Sequence, residues 1–165
     1  MIPDIKKILY ATDLSDNARY AFGYAISLAN RYDAKITVLN VVEELSPFAQ
    51  SMVEDIVGTE RLEALRKDKE VKVIESIKQR LQDFCQQAIQ EVPECSLAVE
   101  KTIVESGQPV DSVIRHAEEM DADLIVMGSH GQGVLADVTM GSTSRRVLRR
   151  CSRPVLIIRL PEDEN

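Results

Sequence analysis

The chain has no tryptophan, and its few Phe and Tyr residues bring the aromatic share to only 4% of 165 residues. A core with so few large rings must be filled by Val, Ile, Leu and Ala, the residues that parallel strands buried on both faces prefer. Cysteine is sparse as well: Cys85, Cys95 and Cys151, with no C-x-x-C spacing. An odd, scattered set points to reduced, structural thiols and a cytoplasmic setting rather than a disulfide framework. No apolar run approaches the roughly 18 residues of a membrane span. Met1-Ile2-Pro3-Asp4 is not the start of a basic, then apolar, signal peptide. Positive charge is also short: the net charge is -7, which speaks against a general binder of nucleic acid or anionic membrane. The exception is local, six arginines and no acids between Arg145 and Arg159.

What is present is the balance of a soluble globular protein, 44% apolar and 28% charged residues, in a length that suits one domain. Lys6 to Thr12 reads as a short strand ending at the helix-starting cluster Thr12-Asp13-Leu14-Ser15-Asp16. Ala18, Ala21, Phe22, Ala25, Leu28 and Ala29 then recur at helical spacing. Lys35 to Val42 is a second strand. Glu43 to Thr59 is irregular, with room for a short helix, and is a candidate lid or interface segment. A long helix is expected from Glu60 to Glu91, with Ile74, Ile77, Leu81, Phe84, Cys85 and Ala88 on one face and Pro93 ending it.

Leu97 to Val104 is a third strand, followed by a turn at Ser106-Gly107-Gln108-Pro109 that opens a helix with Val110, Val113, Ile114 and Ala117 inward. Asp123 to Met127 is a fourth strand. A loop runs from Gly128 to Gly141, a short helix from Ser142 to Arg150, and a fifth strand from Pro154 to Arg159. Strands alternating with helices imply a single doubly wound α/β domain, residues 1–160, around a parallel sheet, with a frayed acidic tail at 161–165.

In such sheets ligands sit beyond the carboxyl ends of the strands, where the strand order reverses. Two segments can meet there: Thr12-Asp13-Leu14-Ser15, and the loop Gly128-Ser129-His130-Gly131, nine residues, Gly141-Ser142-Thr143-Ser144. Gly128 and Gly131 allow close main-chain approach and positive φ. Gly141 and Ser142 open a helix whose free amides and dipole favour an anion, and the hydroxyls of Ser142, Thr143 and Ser144 add donors. The bland alternative is a surface loop ending in an ordinary cap. A Walker A site is excluded because Val134 and Leu135 stand where Lys and Ser/Thr are needed. Gly131-Gln132-Gly133-Val134-Leu135-Ala136 fits the dinucleotide pattern, but Cys151, Ser152 and Arg153 replace the ribose-binding acid expected about 20 residues on, so that match is accidental.

Gly128-x2-Gly131-x9-Gly141-Ser142 is similar to the motif of the ATP-binding branch of the universal stress proteins. The resemblance extends over most of the chain. Lys7-Ile8-Leu9-Tyr10-Ala11-Thr12-Asp13-Leu14-Ser15, Leu39-Asn40-Val41-Val42, Gly107-Gln108-Pro109 and Arg153-Pro154-Val155-Leu156-Ile157-Ile158 look like that family's strand ends and turns. It implies a five-stranded parallel sheet in the order 3-2-1-4-5 with helices on both faces, and a homodimer through Pro154 to Arg159. It further implies that Ala11, Thr12, Asp13 and Val41 hold the nucleoside, Met127 and Gly128 line the ribose side, and Gly131, Gly141, Ser142, Thr143 and Ser144 take the phosphates of ATP, or of ADP or AMP. Mg²⁺ or Mn²⁺ would bridge the phosphates. Ala11, Asn40 and Thr143 depart from the residues frequent in relatives, Pro, His and Val.

Other polar residues weigh differently. Asp13 is read as a nucleoside contact over a mere helix-preceding acid, because it sits at a strand's carboxyl end. His130 is read as a solvated loop residue and His116 as a surface side chain. Arg149 and Arg150 are read as a solvated face that offsets the helix C-terminus, whereas Arg145 and Arg146 could steer ATP. The function expected is a nucleotide-binding stress-response regulator that acts on an unknown protein partner. The alternatives are a slow or partner-dependent ATP hydrolase, for which no general base can be assigned, and a nucleotide-independent dimeric adaptor.

Overall fold

The computed structural model describes residues 2–44, 46–58, 60, 71–72, 74–80, 82–84, 86–87, 98–130 and 140–159. Gly131, Leu81, Cys85, Ala88, Pro93, Cys95 and the tail at 161–165 lie outside them.

Five parallel strands form the sheet, β1 (Lys7–Ala11), β2 (Lys35–Glu43), β3 (Val99–Gly107), β4 (Leu124–Gly128) and β5 (Val155–Ile158), in the order β3-β2-β1-β4-β5. The expected order 3-2-1-4-5 is the observed one. β1 is the centre: Leu9 pairs with Thr37 on one side and with Ile125 on the other. The chain leaves β1 towards β2 and returns later to β4, so the crossovers diverge at the tips of β1 and β4. That is the topological switch point, where a cleft opens.

Helix α1 (Asp16–Tyr32) follows from its sequence. Ser15 caps it by accepting a hydrogen bond from the Ala18 amide, and Asp33 closes it in the left-handed region at φ 51°. Ala18, Ala21, Phe22, Ala25 and Ala29 are buried as expected, and Ile26 joins them. Helix α2 (Pro47–Val57) occupies most of the segment expected to be largely irregular. A third helix, α3, contributes residues 71–72, 74–80, 82–84 and 86–87, and helices α4 (Pro109–Glu119) and α5 (Ser142–Arg150) complete the fold.

The sheet separates two apolar layers. On one side Phe22, Ala25 and Phe84 pack on Ile8, Tyr10, Ile36 and Val38. On the other, Val110, Val113, Ala117 and Val147 pack on Leu9, Leu39 and Ile125. Helices α1 and α3 thus cover one face, and α4 and α5 the other. Alternation along β2 sends Val38 to the first layer and Leu39 to the second, the pattern of a strand buried on both sides.

The third strand corrects one expectation and with it a second. It runs on to Gly107, where a turn was expected after Val104, because Val41, Val42 and Glu43 continue the ladder opposite Glu105, Ser106 and Gly107. Glu105 therefore faces the middle of α4. His116 is not a surface side chain: it is 14% exposed, and its Nε2 lies 3.0 Å from Glu105 Oε2. Arg115 also bonds Glu105. Burial pushes the Glu105 carboxyl up, but hydrogen bonds from His116, Ser112 and Arg115 outweigh it and hold the pKa down at about 2.

A carboxylate with a depressed folded-state pKa stabilises the fold fully above its ordinary value and loses that contribution as pH falls to the folded value. Glu105→Gln is therefore expected to lower stability at neutral pH and to flatten the acid loss between pH 4.5 and about 2. Urea midpoints across that range measure it. An unchanged acid slope would mean that Glu105 is not what couples stability to protons there.

Candidate functional site

The residues at the tip of β1 hold one another. The Thr12 amide donates to the Leu39 carbonyl at 2.9 Å, and Asn40 Nδ2 donates to the Thr12 carbonyl at 2.8 Å. Thr12 Oγ1 accepts the Leu14 amide at 3.0 Å. Asp13 Oδ1 accepts both the amide and the hydroxyl of Ser15, at 3.1 and 2.6 Å, so this acid orients the residue that caps α1. Between them Leu14 adopts φ 63°, a left-handed conformation that a branched residue takes only when its surroundings impose it. The turn is strained and over-determined, which suits a rigid wall.

The second segment is built on Ser129, which is fully buried. Its amide donates to the Ile158 carbonyl, tying the loop to β5, and its carbonyl accepts from the Gly141 amide at 2.7 Å and the Ser144 hydroxyl at 2.9 Å. Ser129 Oγ and His130 Nδ1 lie 2.8 Å apart, which makes His130 part of the loop's fabric as well as its surface. Two sequence-based expectations change here. Gly128 is not among the described glycines with positive φ, and the reason for glycine at 128 and 141 is space beside the protein's own backbone. A Cβ at Gly128 would meet the His130 carbonyl at 3.3 Å, and one at Gly141 the Ser129 carbonyl at 3.2 Å. The Ser144 hydroxyl, expected as a ligand donor, is buried and directed at Ser129 and Gly141.

Gly141 caps α5 with extended geometry and no side-chain bond. The first-turn amides of Ser142, Thr143 and Ser144 therefore lack the partner that a Ser or Asp cap would supply. No acid stands in that turn. Uncapped amides at the positive end of a nine-residue helix favour a negatively charged group.

Between the two segments lies a cleft of about 490 Å³, within the range of small-molecule sites. Ala11, Thr12, Asp13, Val41, Met127, Gly128, Gly141, Ser142, Thr143 and Ser144 all line it. These are the candidate residues named from sequence, apart from Gly131. The lining also includes residues that sequence reading missed: Leu14, Ala18, Leu39, Asn40, Val42, Glu43, Ile77, Arg80, Pro109, Val113 and His130. Those at strand ends had a signal in the strand pattern. Ile77 and Arg80 had none beyond helical spacing from Phe84. Among the described residues, no group of three or more His, Cys, Asp or Glu side chains could hold a metal ion, and no helix is long and apolar enough to cross a membrane.

A doubly wound parallel sheet of order 3-2-1-4-5, with an uncapped helix N-terminus and a cleft at the switch point, defines a Rossmann-like α/β protein. More narrowly, residues 4–159 match the universal stress protein family, and the chain belongs to that family. Universal stress protein MJ0531 of Methanocaldococcus jannaschii is 30% identical over 159 residues, covering 96% of this chain and 85% of that one. YxiE of Bacillus subtilis is 29% identical over 157 residues, 93% of this chain and 98% of that one. Among solved structures, that of MJ0577 from the same archaeon has a TM-score of 0.77 at 24% identity, with 98% of this chain and 100% of that chain covered. A universal stress protein in complex with cAMP has a TM-score of 0.60 at 22% identity, covering 94% and 98%. One from Archaeoglobus fulgidus in complex with dAMP has a TM-score of 0.57 at 20% identity, covering 94% and 99%.

Proposed function

We propose that this chain is a nucleotide-binding regulatory protein of the stress response, holding ATP, or ADP or AMP, in the cleft between β1 and β4. The observation that carries the reading is the uncapped N-terminus of α5 facing a pocket walled by the tips of β1, β2 and β4. That geometry suits one charged end and one apolar, planar end. The α5 amides and the Thr143 hydroxyl take phosphate. Ala11, Thr12, Asp13 and the backbone at Val41 take the nucleoside, and Met127 and Gly128 line the ribose side. Two structural relatives described in complex with cAMP and dAMP support an adenine ligand.

Mg²⁺ or Mn²⁺ is placed on the phosphate oxygens, with no protein ligand assigned. Residues 1–160 act as one unit in this reading, in the cytoplasm. Two copies pair through Pro154 to Arg159, a segment that contains β5, an outer strand of the sheet with half-buried Val155, Leu156 and Ile157. Nucleotide binding changes what the dimer offers to a protein partner.

Calorimetric titration with ATP and Mg²⁺, together with light scattering for the dimer, tests the reading. Saturable binding of one nucleotide per chain is expected, along with adenine nucleotide in the mass spectrum of ligand released from fresh protein. No binding of ATP, ADP or AMP at millimolar concentration would end it, and a monomer at all concentrations would end the dimer.

A further inference from the structure

Helix α3 supplies a wall of the cleft that no motif marks. Phe84 anchors it: its ring centroid lies 5.0 Å from that of Phe22 on α1, and the Arg19 guanidinium sits over the Phe84 ring at 5.6 Å. Arg80 and Ile77 precede Phe84 by one and two helical turns, so they lie on the same side of α3, Ile77 half-buried and Arg80 exposed. Both line the cleft. Arg80 has no ion-pair or hydrogen-bond partner among the described residues.

The side on which Arg80 enters decides what it can touch. Helices α1 and α3 cover one face of the sheet, and α4 and α5 the other. The phosphate-type donors, the α5 amides and the Thr143 hydroxyl, belong to the second face, as do the side chains of Ala11, Val41 and Met127, whereas alternation from Tyr10 and Val38 puts Thr12, Asn40 and Val42 on the first. Arg80 enters from the first, beside an apolar neighbour, Ile77. A guanidinium is flat, weakly hydrated and stacks on aromatic faces, whereas a lysine ammonium is compact and does not. We infer that Arg80, flanked by Ile77, is a specificity-determining residue that lays its guanidinium against the base of the ligand and selects for a planar heteroaromatic ring. The inference rests on the nucleotide reading above.

The test is a ligand series read by calorimetry: adenosine, AMP and ATP against the wild-type chain, Arg80→Ala and Arg80→Lys. Contact with the base predicts that Arg80→Ala weakens all three ligands by a similar factor, on the order of tenfold. The ratio of variant to wild-type affinity should stay constant between low and high salt, and Arg80→Lys should recover little. Three outcomes overturn the inference: unchanged affinity, a loss that grows from adenosine to ATP, or rescue by lysine. The last two would make Arg80 a phosphate contact. Failure of the wild-type chain to bind any of the three defeats the nucleotide reading itself and is separable from these results. Circular dichroism of each variant controls for folding.

Discussion

Replacing Phe22 by alanine is expected to cost about 3–5 kcal/mol of folding stability, the range for deleting a large buried ring. The chain holds only three Phe and four Tyr, and three of these rings stack in one column. Phe22 is 2% exposed and lies 4.9 Å from Tyr10 on β1 and 5.0 Å from Phe84 on α3, both pairs tilted. The ring thus joins the sheet, α1 and α3 at one point, and its nearest rings, Tyr10 and Phe84, belong to different elements. A domain of this size has about 5–15 kcal/mol in total, so the loss takes about a fifth or more of it. Urea unfolding followed by circular dichroism measures the effect as a lower midpoint. Phe48→Ala is the comparison: that ring is 75% exposed and should cost within about 0.5 kcal/mol. Equal, small effects for the two variants would mean that the aromatic column does not carry the core.

The same column explains why part of the site was hidden in the sequence. Helix α1 was legible because start signal and period agree: the Thr12 to Asp16 cluster before the stripe and Ala18 to Ala29 along it, whereas its close at Asp33 carried no reading. The start of α5 at Ser142 was legible because Gly141 breaks the preceding segment and hydroxyl residues follow. The strand order was a different matter. Five parallel strands allow many orders, and only the family resemblance supplied 3-2-1-4-5. The end of β3 was misplaced because Ser106-Gly107 has turn composition, yet here Gly107 pairs with Glu43 and its carbonyl accepts the Glu44 amide at 3.2 Å. His116 was placed on the surface by the usual exposure of histidine, and its partner Glu105 lay beyond the end of the strand as read from sequence. The wall at Ile77 and Arg80 could not be found from a local motif, since only the docking of Phe84 on Phe22, residues far apart in sequence, brings α3 over the strand tips.

The second large effect is on binding. Gly141→Val is expected to weaken ATP by about a hundredfold or more while leaving the fold intact. Backbone conformation is not the reason, for Gly141 has φ -65° and ψ 158°, ordinary for any residue. Space is the reason. A Cβ there would stand 3.2 Å from the Ser129 carbonyl oxygen, 3.5 Å from Ser144 Oγ and 3.6 Å from His130 Cα. That carbonyl cannot simply retreat, because it accepts the Gly141 amide and the Ser144 hydroxyl, and the Ser129 amide is fixed to Ile158. Alanine asks for a shift of a few tenths of an ångström and should cost little. Valine adds two methyls at the same place and must push the first turn of α5 away from β4, taking with it the amides of Ser142 and Thr143. Hydrogen bonds to a charged group are worth about 1.5–3 kcal/mol each, so losing two removes at least 3 kcal/mol, or roughly a hundredfold in affinity. Gly23→Ala is the control: a Cβ there meets nothing within 4 Å, and in the middle of α1 the substitution should stabilise the fold by about 0.5–1 kcal/mol without changing affinity. Wild-type affinity in a folded Gly141→Val variant would remove the α5 amides from the binding site and leave the cleft without its anion-holding end.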